Sequence, residues 1–251
     1  MTRRPKAFAF HLLASAIALT LVFGSLYVGW YRWPGWYLAG AARVALTVTA
    51  VDLALGPLLT LVIANPRKPV RELTRDISII VAVQLAALAY GTVTLWQGRP
   101  LYYTFSADRL EMVQASALEP QEIALARQQN PAFAPHWYSR PRWIWAPLPQ
   151  DKDEATKIMT AAVMGGSDVI DMPRYFKPWS AGLPSLAKQL RRVDDAKVFT
   201  PAEKQLLKSR MSARGYAPDE PVTLTMWGKE RPMIAVVDRA SLRILAFIKA
   251  T

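Results

Sequence analysis

The hydropathy pattern changes period once along the chain, close to residue 97. Before that point three apolar runs stand out: Ala7–Val28, 22 residues without charge; Val44–Ala64, 21 residues with one charge; Ile77–Trp96, 20 residues without charge. Each reaches the ~20 residues that a helix needs to cross a hydrocarbon layer. The pattern therefore predicts a membrane domain over 1–96, with spans at 7–28, 44–64 and 77–96. After residue 97 the runs are short. Leu101–Phe105, Arg109–Gln114, Val222–Trp227, Met233–Val237 and Leu242–Ile248 read as strands. Glu119–Gln129, Lys152–Met164 and Leu186–Val193 have helical spacing. Thr200, Pro201 and Glu203 form a capping box that opens a further helix, and Gly215 closes it. These elements predict an α+β domain over 97–251 with a small antiparallel sheet.

One feature of the second run conflicts with its surroundings. "VDLALGPLLTLVIANP" carries Asp52 and the Gly56-Pro57 pair inside apolar sequence. Asp52 lies eight residues after Val44, about 12 Å deep at ~1.5 Å per residue. An acid at that depth costs ~2.5–3.5 kcal/mol on the insertion scale, whereas each Leu, Ile, Val or Phe returns ~0.3–0.6. The run therefore depends on neighbouring helices. Arg43 falls on the opposite face, and His11 reads as too near the cytoplasmic side to meet Asp52. Helical spacing instead aligns Ala45, Thr49, Asp52, Gly56 and Thr60 as one small, polar stripe. The third run has a matching stripe in Gln84, Ala87, Gly91 and Thr94, and the first has His11, Ser15, Ala18, Val22 and Ser25. Small residues let membrane helices approach, and hydroxyls bond across the contact. Thr49, Asp52, Gly56, Pro57, Thr60, Gln84 and Gly91 thus form a candidate seam. It serves either as a clasp within the chain or as a dock for another membrane helix. Pro57 also removes the helical bond to the carbonyl of Leu53, leaving a protonated Asp52 or a nearby hydroxyl to cover it.

Charge gives the runs a direction. Nine Lys/Arg and three Asp/Glu precede residue 97, so half of the net +12 lies beside apolar sequence. This favours a lipid bilayer over nucleic acid as the partner. Arg3, Arg4 and Lys6 flank the first run, and Arg67, Lys68, Arg71 and Arg75 occupy the second connection; Gly29–Arg43 holds only two basic residues. The positive-inside rule puts the N-terminus and the second connection in the cytoplasm. In a Gram-negative cell the domain after residue 97 is then periplasmic. The first run exceeds the ~7–15 apolar residues of a signal peptide and no A-x-A site follows, so it reads as a retained helix. "WYRWPGWY" (Trp30–Tyr37) reads as an interfacial anchor.

Catalytic patterns are thin. There is no cysteine, and His136 is the one histidine outside the apolar runs, so thiolate, His-cluster and His-triad sites are not expected. Ser185-x-x-Lys188 lacks the S-D-N and K-T-G elements that its chemistry needs. We expect a non-enzyme with no cofactor and no metal. The alternative is a membrane-anchored periplasmic enzyme modifying the cell wall or another protein of the envelope. "HWYSRPRWIW" (His136–Trp145) concentrates aromatics and arginine, the side chains that dominate interface hot spots. It reads as a loop that covers the core, touches headgroups or contacts a partner.

"AFAFHLLASAIAL", "VDLALGPLLTLVI", "QLAALAYGTVTLWQGRPLYYTFSADRLEMV" and "MIAVVDRASLRIL" together resemble the type IV pilin accessory protein family. The resemblance spans most of the chain and is densest at Asp52–Thr60 and Tyr90–Val113. It implies an inner-membrane, chaperone-like protein that binds the major type IV pilin, both membrane helix and periplasmic head, and promotes pilus biogenesis. The matching positions are Asp52, Leu55, Gly56, Pro57, Gly91, Gly98, Arg99, Pro100, Asp108, Arg109 and Glu111. Arg99, Asp108, Arg109, Glu111, Trp137, Arg142 and Trp143 become candidate periplasmic contacts.

Overall fold

The computed structural model describes residues 3–63 and 68–250. Ala64 and Arg67, which belong to the predicted second span and basic connection, lie outside the described residues, as do the side chains of Arg3 and Arg4. The chain forms two compact units, Met1–Arg99 and Pro100–Thr251.

The first unit is a helix bundle. Its elements are α1 (Arg3–Leu26), α2 (Gly35–Leu38), α3 (Ala41–Thr49), α4 (Gly56–Ile63) and α5 (Val70–Gln97). A wider π-turn, Ala50–Leu55, joins α3 to α4, so that Ala41–Ile63 runs as one rod. Three rods, Pro5–Tyr31, Ala41–Ile63 and Val70–Gln97, are long and apolar enough to cross a membrane. The third starts seven residues earlier than its apolar run predicts. Arg71, Glu72, Arg75 and Asp76 form its polar first turns rather than a connection, because charged residues with good helix propensity extend a helix into water.

The bundle is inside-out by the standard of a soluble protein. Phe10, Leu13, Leu21, Leu46, Val62, Leu85 and Tyr90 are exposed, while Asp52, Thr60 and Gln84 are buried. So large an apolar exterior has the composition that a surface facing hydrocarbon needs. At the other end, the aromatic connection folds against the helices. Tyr31 is buried and its hydroxyl donates to the Leu95 carbonyl at 2.6 Å. Trp30 meets Trp96 edge-on at 4.9 Å, and Trp36 packs against Tyr27 and Tyr31. Most of this segment is committed to packing; Trp33 and Tyr27 remain partly exposed.

The second unit is α+β, but its sheet is neither small nor purely antiparallel. Among the described residues it has seven strands: β1 (Pro100–Ser106), β2 (Arg109–Gln114), β3 (Arg142–Trp145), β4 (Lys177–Pro178), β5 (Thr223–Trp227), β6 (Met233–Val237) and β7 (Ile244–Lys249). They lie in the order β4-β3-β1-β2-β5-β6-β7. The β1–β3 and β2–β5 pairs are parallel and the others antiparallel. The expected sheet was too small for two reasons. The Arg142–Trp145 strand lies in a stretch whose sequence reads as loop, and the two hairpin groups, far apart in sequence, share one sheet through the β2–β5 pair.

The helices of this unit are α6 (Pro120–Gln129), α7 (Lys152–Val163), α8 (Trp179–Gln189) and α9 (Pro201–Ser212). Helix α8 replaces the predicted Leu186–Val193 helix. It runs through Gly182 and Pro184 and ends at Gln189, and Val193–Asp195 makes a separate 3-10 turn. The α9 capping box forms as expected: Thr200 Oγ1 accepts from the Glu203 N–H, and Glu203 accepts from the Thr200 N–H. Arg231, then Thr200, holds the Glu203 carboxyl down to about 2.

One sheet face packs two helical layers. Tyr102, Val113 and Ile144 meet Ile158, Ile170 and Phe176, while Ile234, Val236 and Ile248 meet Phe199, Leu207 and Met211. On the other face the sheet curls until Trp143 of β3 stacks on Phe247 of β7 at 5.9 Å, with Trp179 of α8 beside them. Both faces are therefore buried.

Candidate functional site

The polar stripes of the three rods meet inside the first unit. Gln84 of α5 is the centre. Its Nε2 donates to the Asp52 carbonyl at 3.0 Å, which turns its Oε1 toward His11 Nε2 at 2.7 Å. In a neutral ring that acceptor fixes the proton on Nε2 and leaves Nδ1 to accept from the Thr60 hydroxyl, 2.6 Å away. His11 therefore joins the seam, contrary to the expectation that it lies too far. Antiparallel helices put it, four residues into the first run, level with Thr60, four residues from the end of the second. Asp52, Thr60 and Gln84 are all buried, and Asp52 Oδ1 has no hydrogen-bond partner among the described residues.

The π-turn explains how Pro57 is accommodated. The Gly56 N–H bonds the Val51 carbonyl, five residues back rather than four. In that wider register the carbonyl opposite Pro57 belongs to Asp52, not Leu53. Proline has no N–H to give it. The Gln84 side chain supplies the missing donor, rather than the acid or hydroxyl that the sequence suggests. Glycines make the approach possible. A Cβ on Gly56 would lie 2.1–2.7 Å from the Gln84 amide, and one on Gly91 would lie 2.4 Å from Val48 Cγ2. Thr49 sits half-buried beside this seam. The seam residues are thus brought together as a clasp between the chain's own helices.

The other candidate contacts scatter. Arg99 is buried within the first unit, where its guanidinium lies 4.3 Å over the Trp96 ring and donates to the Trp96 carbonyl. Asp108 is exposed in the β1–β2 turn. Arg109 pairs with Glu111 at 3.0 Å and with Asp168 at 3.4 Å. Trp143 is core. Arg142 is tied down, donating to the Ala132 carbonyl at 2.8 Å and covering the Tyr102 and Phe133 rings. Of the aromatic-arginine segment, Trp137 and Tyr138 remain exposed at 73% and 58%.

Asp171 stands in the 3-10 turn beside this acidic group. Burial pushes its carboxyl up to about 6; the Asp168 backbone opposes the shift, while Glu111, Asp168 and Glu119 add to it. A folded value above the unfolded one means that the native state binds the extra proton between pH 4 and 6. Stability associated with Asp171 is full below about pH 4 and is lost as pH rises through 6, on the order of 2 kcal/mol. Asp171→Asn is therefore expected to raise the melting temperature at pH 7.5 and to flatten its decline between pH 4 and 6. Parallel pH profiles for the variant and the parent would contradict this.

Two clefts flank Arg109. One, of about 670 Å³, is lined by Asp108, Arg109, Arg191, Lys197, Thr225 and Trp227. The other, of about 650 Å³, is lined by Phe105, Trp145, Leu148, Met159, Val163 and Ser185 among others. Among the described residues no group of three His, Cys, Asp or Glu is arranged to hold a metal ion. Sequence reading missed Asn130, whose amide reaches the carbonyls of Pro173, Arg174 and Phe176 and ties that loop to α6.

No protein-family model matches the chain, and no solved structure matches it. Curated relatives do. Over 181 residues, 71% of this chain and 68% of the relative, it is 26% identical to the fimbrial assembly protein, serogroup I, of Dichelobacter nodosus. The serogroup E1 protein of that organism is 25% identical over the same shares. The protein of serogroups C1 and C2 is 28% identical over 116 residues, 46% of this chain and 88% of the relative. These matches agree with the family resemblance noted in the sequence, and the chain is similar to fimbrial assembly proteins.

Proposed function

We propose that the chain is a non-enzymatic, chaperone-like accessory protein that binds the major type IV pilin in the Gram-negative inner membrane and promotes pilus assembly. The observation that carries this reading is the match to fimbrial assembly proteins over about two thirds of both lengths. The three apolar rods and the separate α+β unit support it, since a pilin offers a membrane helix and a periplasmic head. The basic residues favour a cytoplasmic N-terminus and a periplasmic second unit.

The clasp changes where a pilin helix would dock. Gly56, Thr60 and Gln84 are occupied by the chain's own helices, so the contact uses outward-facing side chains. A photo-crosslinker at the half-buried Thr49 is expected to capture only this protein, and crosslinkers at Leu58, Leu85 or Tyr90 to capture pilin. Deletion of the gene is expected to lose surface pili while pilin is still made. Normal piliation in the deletion strain, or pilin absent from every crosslinked site, sinks the reading.

A further inference from the structure

The exposed tip of the aromatic-arginine segment has a built shape. The His136 N–H donates to Ser139 Oγ, the Ser139 N–H donates to the His136 carbonyl, and the His136 and Tyr138 rings stack at 5.4 Å. Trp137 meets Tyr138 edge-on. The turn thus holds large rings outward at its tip. Its charge is one-signed: between Glu122 and Asp151 the chain has Arg127, Arg140 and Arg142 and no acid. All three arginines are exposed.

Strand register then decides which end of the sheet carries this turn. β3 runs parallel to β1, with Arg142 opposite Tyr102. The turn therefore leaves the sheet at the end where β1 begins. β1 begins at Pro100, three residues after the third apolar rod ends at Gln97. From Gln97 to Tyr102 the chain reaches at most about 18 Å, and one strand spacing adds about 5 Å. Tyr102 and Phe133 hold the base of the turn there, through the Tyr102 hydroxyl bond to the Phe133 carbonyl at 2.6 Å.

We infer that the His136–Arg142 turn is a second membrane anchor, whose Trp137 and Tyr138 rings enter the headgroup region of an anionic bilayer while Arg140 meets lipid phosphates. Tryptophan and tyrosine favour that depth, and arginines near the surface favour anionic lipid.

The absence of cysteine permits a direct test in the full chain, reconstituted in nanodiscs containing phosphatidylglycerol. A nitroxide is attached at Tyr138→Cys and, at the opposite end of β1, at Asp108→Cys. The ratio of collisions with oxygen to collisions with an aqueous nickel chelate is expected to be several-fold higher at 138. It is expected to fall several-fold when the discs contain phosphatidylcholine alone, or when Arg140→Glu is added. Equal ratios at 138 and 108 overturn the inference. So does a label at 138 shielded from both reagents, the sign of a protein partner over the turn. The inference rests on the rods crossing the bilayer, and a label at Tyr90→Cys reports that separately.

Discussion

Gly56→Ala is expected to destabilise the helix bundle by about 2 kcal/mol, and to do so only while Gln84 is present. The added methyl would stand 2.1–2.7 Å from the Gln84 amide. That amide is the end of a flexible side chain and can turn away, but turning breaks its bonds to the Asp52 carbonyl and His11. Buried bonds between membrane helices contribute roughly 0.6 kcal/mol on average and up to ~1.7, so two of them account for the figure. Removing the amide first changes the outcome. In a Gln84→Ala background those bonds are already lost, and Gly56→Ala should cost nothing or gain up to ~1 kcal/mol from helix propensity. The coupling in this cycle is therefore about 2–3 kcal/mol. Gly24→Ala is the control: it is helical, with no atom within 4 Å of its new Cβ. Unfolding in mixed micelles measures the four proteins of the cycle and the control. An equal cost of Gly56→Ala in both backgrounds would show that the amide is not what the glycine accommodates.

The second large effect lies in the α+β unit. Gly182 of α8 passes so close to β3 that a Cβ would lie 2.6 Å from Trp145 Cγ and 2.8 Å from Trp145 Cβ. Those atoms are the root of the side chain, carried by the strand, and cannot swing aside. Gly182→Leu is expected to cost about 3 kcal/mol, the upper part of the usual overpacking range. For a unit of this size that lowers the melting temperature by roughly 6–12 °C. Near-ultraviolet circular dichroism follows the damage directly, because Trp143 and Trp179 pack edge-on at 5.2 Å on the same sheet face. An unchanged melting temperature would mean that α8 does not lie on β3 as described.

These two glycines also show where sequence reading stops. Gly56 belonged to a stripe with helical spacing and could be assigned to a seam, but its opposing atom could not be named. Gly182 carried no signal at all. Helical spacing is legible only over Leu186–Val193, which begins after it. Arg142–Trp145 was similarly hidden: its alternation is only four residues long and is embedded in a run of aromatics and prolines. The function was legible at the level of family, through the Asp52–Thr60 and Tyr90–Val113 motifs, and the relatives agree at that level.

What the sequence determined by itself was local or compositional. Three apolar runs, the Thr200 capping box and the antiparallel strands β5, β6 and β7 follow from residues within a few positions of one another. Tertiary structure decided which segments meet. It paired Tyr102 with Arg142 and Leu110 with Met226, making the sheet mixed and seven-stranded. It also chose Gln84 to complete the carbonyl that Pro57 leaves open, and brought His11 level with Thr60. The physical reason is one of range. Periodicity and capping act through neighbouring residues, whereas parallel pairing and helix contacts depend on burial shared between segments dozens of residues apart, and no local period records the partner.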